Sequence, residues 1–307
     1  MKKIILFILS FLIFFCAAFY GLNRVIPFVD LRQRAVWDDV YHGKIDYAFL
    51  GSSHVYCGVD PLLINARTDE NSILISSGIQ TLTQTYYNLY ELLDYQSPKV
   101  VFVEMYGGYR EFDQGNFTNI DCMRFSLNKI RMAQDVFPDT FILYSLFPLL
   151  REHSNWKNFD NLMANINYDK SEYNLGFSGI DTKVSDDQYD GYLEMEQDYS
   201  EFVMREADVT AIEKMIDLCA EKDVTLKFIM IPWIREFTER INYTSVVDAI
   251  NKTIAPYELL DFMGGDYDKM GLDRNYFIED KISNNQHLNI DGAGIFTNYL
   301  LDGGYLE

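Results

Sequence analysis

Cysteine is scarce in this chain: four in 307 residues, at positions 16, 57, 122 and 219. They are too few and too widely spaced for a disulfide framework or a zinc cluster. Cys219 falls on an amphipathic helical pattern and is expected in the core. Cations are scarce too, with 26 Lys and Arg against 46 Asp and Glu and a formal net charge of −20. Setting Lys2 and Lys3 aside leaves −22 for the remainder (−20 − 2). Such a balance excludes nucleic acid as a partner, because its phosphates demand clustered cations. It also disfavours a strongly anionic polymer unless a local basic groove intervenes. No internal repeat or low-complexity tract occurs. The stretch "DYDKMG" at 266–271 imitates a calcium loop, but Met270 stands where an oxygen ligand belongs and Phe277 where the closing Glu belongs. No metal and no cofactor is expected.

Long apolar runs are absent, with one exception. "IILFILSFLIFFCAAFYGL", Ile4 to Leu22, has nineteen residues and no charge. It suffices to cross a bilayer as a helix and exceeds the usual apolar core of a signal peptide. The lysines before it place the N-terminus inside and the remainder outside. Residues 1–24 are therefore expected to be a signal anchor, with a cleaved signal peptide as the alternative, and residues 25–307 an extracytoplasmic domain. "FVDLRQRAVWDDVYHGK" then reads as a helical stalk.

Five strand-like runs follow: 46–51, 72–77, 99–105, 225–232 and 257–262. Helical patterns separate them. Thr81 stands three residues before Gln84 at a capping-box spacing, and Ile212, Met215, Ile216 and Cys219 recur at helical intervals. Near-continuous apolar strands alternating with helices predict an α/β fold, a three-layer α/β/α sandwich around a parallel sheet. Residues 107–207 interrupt it as a large helical insertion, expected to form a lid or cap.

Ligands of open parallel sheets bind beyond the carboxyl ends of the strands. There the pattern sets Ser53 after the first strand, Gly78 after the second, Glu104 and Tyr106 after the third, and Trp233 and Arg235 after the fourth. His287 lies in a polar loop before a C-terminal helix. Serine and histidine at such places are the makings of nucleophilic catalysis on an ester. His54, beside Ser53 on a tight turn, is expected to point elsewhere, and His42 and His153 to be surface or packing residues. Most of the 22 Tyr, 22 Phe and three Trp are expected to pack sheet and insertion.

Gly51-Ser52-Ser53, Gly78 and the terminal "NNQHLNIDGA" resemble the SGNH/GDSL hydrolase superfamily. "GSSHVYCGVDP", the N-terminal apolar run and the "HLN..GA..F" ending look most like its membrane-anchored bacterial branch, whose members serve teichoic acid D-alanylation and alginate O-acetylation. The resemblance covers about residues 40–106 and 208–303. It implies Ser53 as nucleophile and His287 as base, with the amides of Ser53 and Gly78 holding the oxyanion. Two departures stand out. The superfamily's Asn donor after the third strand is replaced, making Tyr106 the candidate donor and leaving Glu104 for a pocket or loop-orienting role. The acid three residues before the histidine is Asn284, with Asp280 a possible substitute. Glu104, Trp233 and Arg235 are candidate substrate-pocket residues, Trp233 as a sugar platform. The implied function is an esterase or O-acyltransferase on a cell-surface glycan, partnered by a membrane-embedded O-acyltransferase. The alternative is an impaired relative that binds a glycan or that partner.

Overall fold

The computed structural model describes residues 2–109, 115–279 and 286–307. Its centre is a five-stranded, wholly parallel sheet: β1 (Tyr47–Gly51), β2 (Ser72–Ser76), β3 (Val100–Glu104), β4 (Thr225–Met230) and β5 (Leu259–Asp261), in the order β2-β1-β3-β4-β5. Every residue of β1, β2 and β3 is buried, because helices cover both faces. Phe49 and Phe102, paired in register across β1 and β3, stack with ring centroids 4.4 Å apart. Helices Leu82–Tyr95, Glu206–Glu221 and Tyr243–Ile254 pack side by side on one face, and Pro61–Thr68 packs with Ile290–Asp302 on the other. The fold is a three-layer α/β/α sandwich. The chain leaves β1 for one neighbour and later places β3 on its other side, so a crevice opens at the carboxyl ends of β1 and β3.

Local chemistry explains the helix starts. Thr81 caps Leu82–Tyr95 by accepting the Gln84 amide at 3.1 Å, and Asp60 caps Pro61–Thr68 through the amides of Leu62 and Leu63. The strand runs read from sequence all become strands, each trimmed at its ends.

The N-terminal helix α1 (Lys2–Val25) buries none of its residues and is long and apolar enough to cross a membrane. The following helix α2 (Leu31–His42) is no stalk. Val36, Trp37 and Val40 are buried in the core, and the Trp37 indole donates to Asn119 Oδ1 at 3.0 Å. Asn119 in turn donates to Gln80, in the loop after β2. The stalk expectation failed because α2 is polar on average and carries only a narrow apolar stripe. Replacing Trp37 with Ala should therefore cost about 3–5 kcal/mol of stability, read as a lower unfolding midpoint of the detergent-solubilised chain; a free stalk would lose almost nothing.

Candidate active site

β1 ends at Gly51, and its neighbour β3 ends at Glu104, whose carboxyl lies under the turn. Gly51 has φ of +157°, and a Cβ there would stand 2.6 Å from the Glu104 Cβ. Only glycine admits the carboxyl so close. Glu104 Oε2 accepts from the Ser52 amide at 3.2 Å and from the Ser52 hydroxyl at 2.9 Å, while Oε1 accepts from the Tyr106 amide at 2.6 Å. Burial pushes the carboxyl up to about 7, against the pull of these donors.

With Ser52 held, helix α3 (Ser53–Gly58) starts at once, and Ser53 takes its first position. Amides in a helix's first turn lack intrahelical acceptors, and the Ser53 amide is one of them. The Ser53 hydroxyl is 2.7 Å from His287 Nε2. A separate scaffold carries that histidine. Phe277 and Leu288 form an antiparallel bridge, the Ile278 amide donates to the His287 carbonyl, and the Asn289 amide to the Tyr276 carbonyl. Asn289 then caps helix Ile290–Asp302.

His54 turns inward. It is buried, with Nδ1 3.3 Å from the Ser52 hydroxyl and its ring edge-to-face with His287 at 4.5 Å and tilted on Tyr106 at 4.0 Å. Three histidine-adjacent groups thus share one buried seam: Glu104, Ser52 and His54. On the open side stands Tyr56, one helical turn after Ser53. Burial raises its phenol to about 12 and Ser53 acts in the opposite sense; the Arg32 guanidinium lies 4.2 Å over its ring. Across from it, Asn116 donates to the Gly78 carbonyl, and Ile79 takes φ of +50°, which a β-branched residue adopts only under constraint.

Ser53, His287 and Gly78 of the sequence-derived set gather around this crevice; a Cβ on Gly78 would lie 3.8 Å from the Tyr56 hydroxyl. Asn284 and Asp280 lie outside the described residues. The Tyr106 amide is taken by Glu104, and its ring packs between His54 and Trp233, so any donation to substrate falls to its hydroxyl. Glu104 and Trp233 are fully buried, which puts them beneath the crevice rather than on its walls. Trp233 offers no face for a sugar to stack on. Arg235 is half-exposed, pairs with Asp268 at 2.6 Å and covers the Tyr267 ring at 4.5 Å. Sequence reasoning overlooked Tyr56 and Asn116; His54 points elsewhere than Ser53, as expected, and only its contact with the His287 ring went unforeseen. Helical spacing from Ser53 would have found Tyr56, since the helix begins at Ser53.

No family model matches the sequence, and no curated protein matches it. Among solved structures, a candidate platelet activating factor from Streptococcus pneumonia is similar at 13% identity and a TM-score of 0.43, over 90% of this chain and 91% of that one. A candidate acylhydrolase from Bacteroides fragilis is similar at 12% identity and a TM-score of 0.41, over 90% and 97%. Likeness of that degree says nothing about chemistry, which rests on the residues themselves.

The buried carboxyl gives stability a definite pH dependence. Native Glu104 keeps its proton to about pH 7, whereas the unfolded chain releases it near 4.5. Its contribution is fully present below pH 4.5 and is lost as pH rises to 7. Unfolding free energies of wild type minus Glu104→Gln should therefore fall across that window, by about 3 kcal/mol in all. A difference that rises with pH would mean an ionised Glu104 in the native state.

Proposed function

We propose that this protein is a serine-dependent acyl hydrolase or O-acyltransferase, acting on ester-linked acyl groups of a cell-surface glycan. The observation that carries the proposal is the 2.7 Å contact between the Ser53 hydroxyl and His287 Nε2 at the crevice between β1 and β3. Nε2 removes the hydroxyl proton as Ser53 Oγ attacks the ester carbonyl, and the amides of Ser53 and Gly78 receive the oxyanion. His287 then returns the proton to the departing alcohol. Water or a second hydroxyl, deprotonated by the same nitrogen, releases the acyl group from Ser53. The glycan assignment rests on the SGNH/GDSL resemblance of the Gly51–Ser53 and His287–Phe296 motifs. From the same source comes the partner, a membrane-embedded O-acyltransferase. α1 holds the chain in the membrane, with residues 25–307 outside the cytoplasm and 107–207 as an insertion within that domain.

A fluorophosphonate probe tests the chemistry. Ser53→Ala should abolish labelling and lower turnover of small acyl esters by about 10³-fold or more, while the unfolding midpoint stays put. Ser52→Ala should keep measurable activity but lose stability, because it strips a donor from a buried carboxyl. Equal activity losses in both variants, with folding intact, would point to a binding turn.

Asn284 favours a second reading, a non-catalytic glycan- or partner-binding protein, since an amide gives the imidazolium no charge. If Asn284 occupies the acid's place in an active enzyme, Asn284→Asp should raise ester turnover, by as much as about 10⁴-fold. If Asp280 serves His287, Asp280→Asn should be the damaging change and Asn284→Asp nearly silent. Inertness of wild type and both variants toward esters and probe would leave the binding reading.

A further inference from the structure

A cavity of about 730 Å³ lies far along the chain from Ser53's turn, where α1 meets α2 and the insertion. Its lining is of two kinds. Phe15, Phe19, Phe125, Leu146 and Phe147 are apolar; Arg24, Arg34, Arg124 and Lys129 are cationic. In a chain with 46 acids to 26 bases, such cations would be expected to have carboxylates beside them. Among the described residues, none of these four has an acid within 4.0 Å, although eleven other Lys and Arg do. The two acids that line the cavity are engaged elsewhere: Asp38 accepts from Tyr168 and Asp121 pairs with Arg151.

The guanidiniums are set for a ligand. Arg34 Nε and Nη1 are buried with no hydrogen-bond partner, and the group lies 4.1 Å over the Tyr168 ring. Burial, then the nearby Arg24, lowers the Arg34 pKa, and Tyr168 and Asp38 offset this only in part. Arg124 is exposed, lies 4.1 Å over the Tyr41 ring and sets Nη2 2.7 Å from His42 Nε2. Lys129 is buried and spends one proton on the Met123 carbonyl at 3.1 Å.

Depth along α1 decides between possible occupants. At 1.5 Å per residue, the uncharged Ile4–Leu22 run is about 28 Å long, the thickness of a bilayer's hydrocarbon. Phe15 and Phe19 then fall within the acyl layer and Arg24 at the headgroups. The insertion is packed around that same end of α1. The Leu149 amide donates to Asn23 Oδ1 at 2.9 Å, Asn165 Nδ2 to the Val25 carbonyl at 2.9 Å, and Phe147 meets Phe19 edge-on at 5.4 Å. Beside them Phe28, Phe125, Phe141, Trp156, Phe159 and Ile166 are each more than half exposed. Exposed aromatic side chains on a segment packed against a membrane helix, a tryptophan among them, are suited to rest on lipid.

We propose that this cavity binds an anionic phospholipid, with Arg34 and Arg124 taking the phosphate and Phe15 and Phe19 the first acyl carbons. The proposal rests on the reading of α1 as membrane-spanning and is independent of the chemistry at Ser53. Full-length protein in neutral detergent, offered equal phosphatidylglycerol and phosphatidylcholine, tests it by native mass spectrometry. One phosphatidylglycerol should be retained in preference, and Arg124→Glu and Arg34→Gln should each reduce that preference about tenfold, with probe labelling at Ser53 unchanged. Excess inorganic phosphate should not displace the lipid. Equal retention of the two lipids by wild type overturns the proposal without recourse to any variant. So does a preference untouched by both substitutions, or displacement by phosphate, which would make the site one for a free anion. Flotation with phosphatidylcholine liposomes separates the two failures. Protein that floats yet shows no lipid preference refutes only the cavity assignment, while protein that stays in the dense fraction refutes the membrane reading as well.

Discussion

Everything at the crevice hangs from the Glu104 carboxyl. Burying it is costly, and three donors from two strand ends make the cost bearable: two on Ser52 after β1 and one on Tyr106 after β3. The same bonds therefore lock together the ends of the two strands that flank the switch point. A side chain of any other length or shape would leave the Ser52 amide and hydroxyl without acceptors in a dry place. Gly51 follows from this, since a Cβ at that position would collide with Glu104 itself. Gly-Ser-Ser is thus three separate demands: room for a carboxyl, a ligand for it, and a hydroxyl freed for the open side.

From that anchor the site is assembled twice over. Ser53 is fixed by the sheet through Ser52 and Glu104, and His287 is fixed by the bridged segments around Phe277 and Leu288. Acyl transfer tolerates little error in the distance between nucleophile and base. His54 supplies the link between the two scaffolds, touching Ser52 on one side and the His287 ring on the other. Two imidazoles at 4.5 Å cannot both be cationic without a repulsive cost, so a proton placed on His287 would be felt by His54. The seam that positions the site is also part of its electrostatics.

How legible was this beforehand? The five strands were, because each is an apolar run bounded by a change of period, and so was the placing of Ser53 and Gly78 just past strand ends, while His287 stood out as a histidine in a polar loop before the last helix. Residues that act through another residue were not. Nothing local distinguishes Glu104 from an ordinary strand-end acid; its role exists only once β3 lies beside β1. Trp233 reads as a platform in sequence but is wrapped by Tyr106, Tyr109, Phe237 and Tyr243. α2 was mistaken for a stalk because its mean hydropathy is low, although one buried tryptophan with a bonded indole is enough to dock twelve residues.

The insertion, read from sequence as a helical lid or cap, has two ends with different physics. Its early part, residues 115–166, packs against α1 and α2 and presents apolar side chains outward. Its later part runs along the sheet edge to the crevice. The Leu74 amide donates to the Leu175 carbonyl, the Ser178 amide to the Tyr56 carbonyl, the Ile290 amide to the Ile180 carbonyl and the Val184 amide to the Phe277 carbonyl. Gly176 is required there, because φ of +97° and a Leu74 carbonyl 2.5 Å from any Cβ exclude other residues. These backbone bonds bind the insertion to the helix that carries Ser53 and to the bridged segments that carry His287. A swinging cover would have to break them in step, each leaving a polar group to be rehydrated. The insertion's tail is accordingly held to both scaffolds of the crevice, against the helix of Ser53 at Tyr56 and against the bridged segment at Phe277.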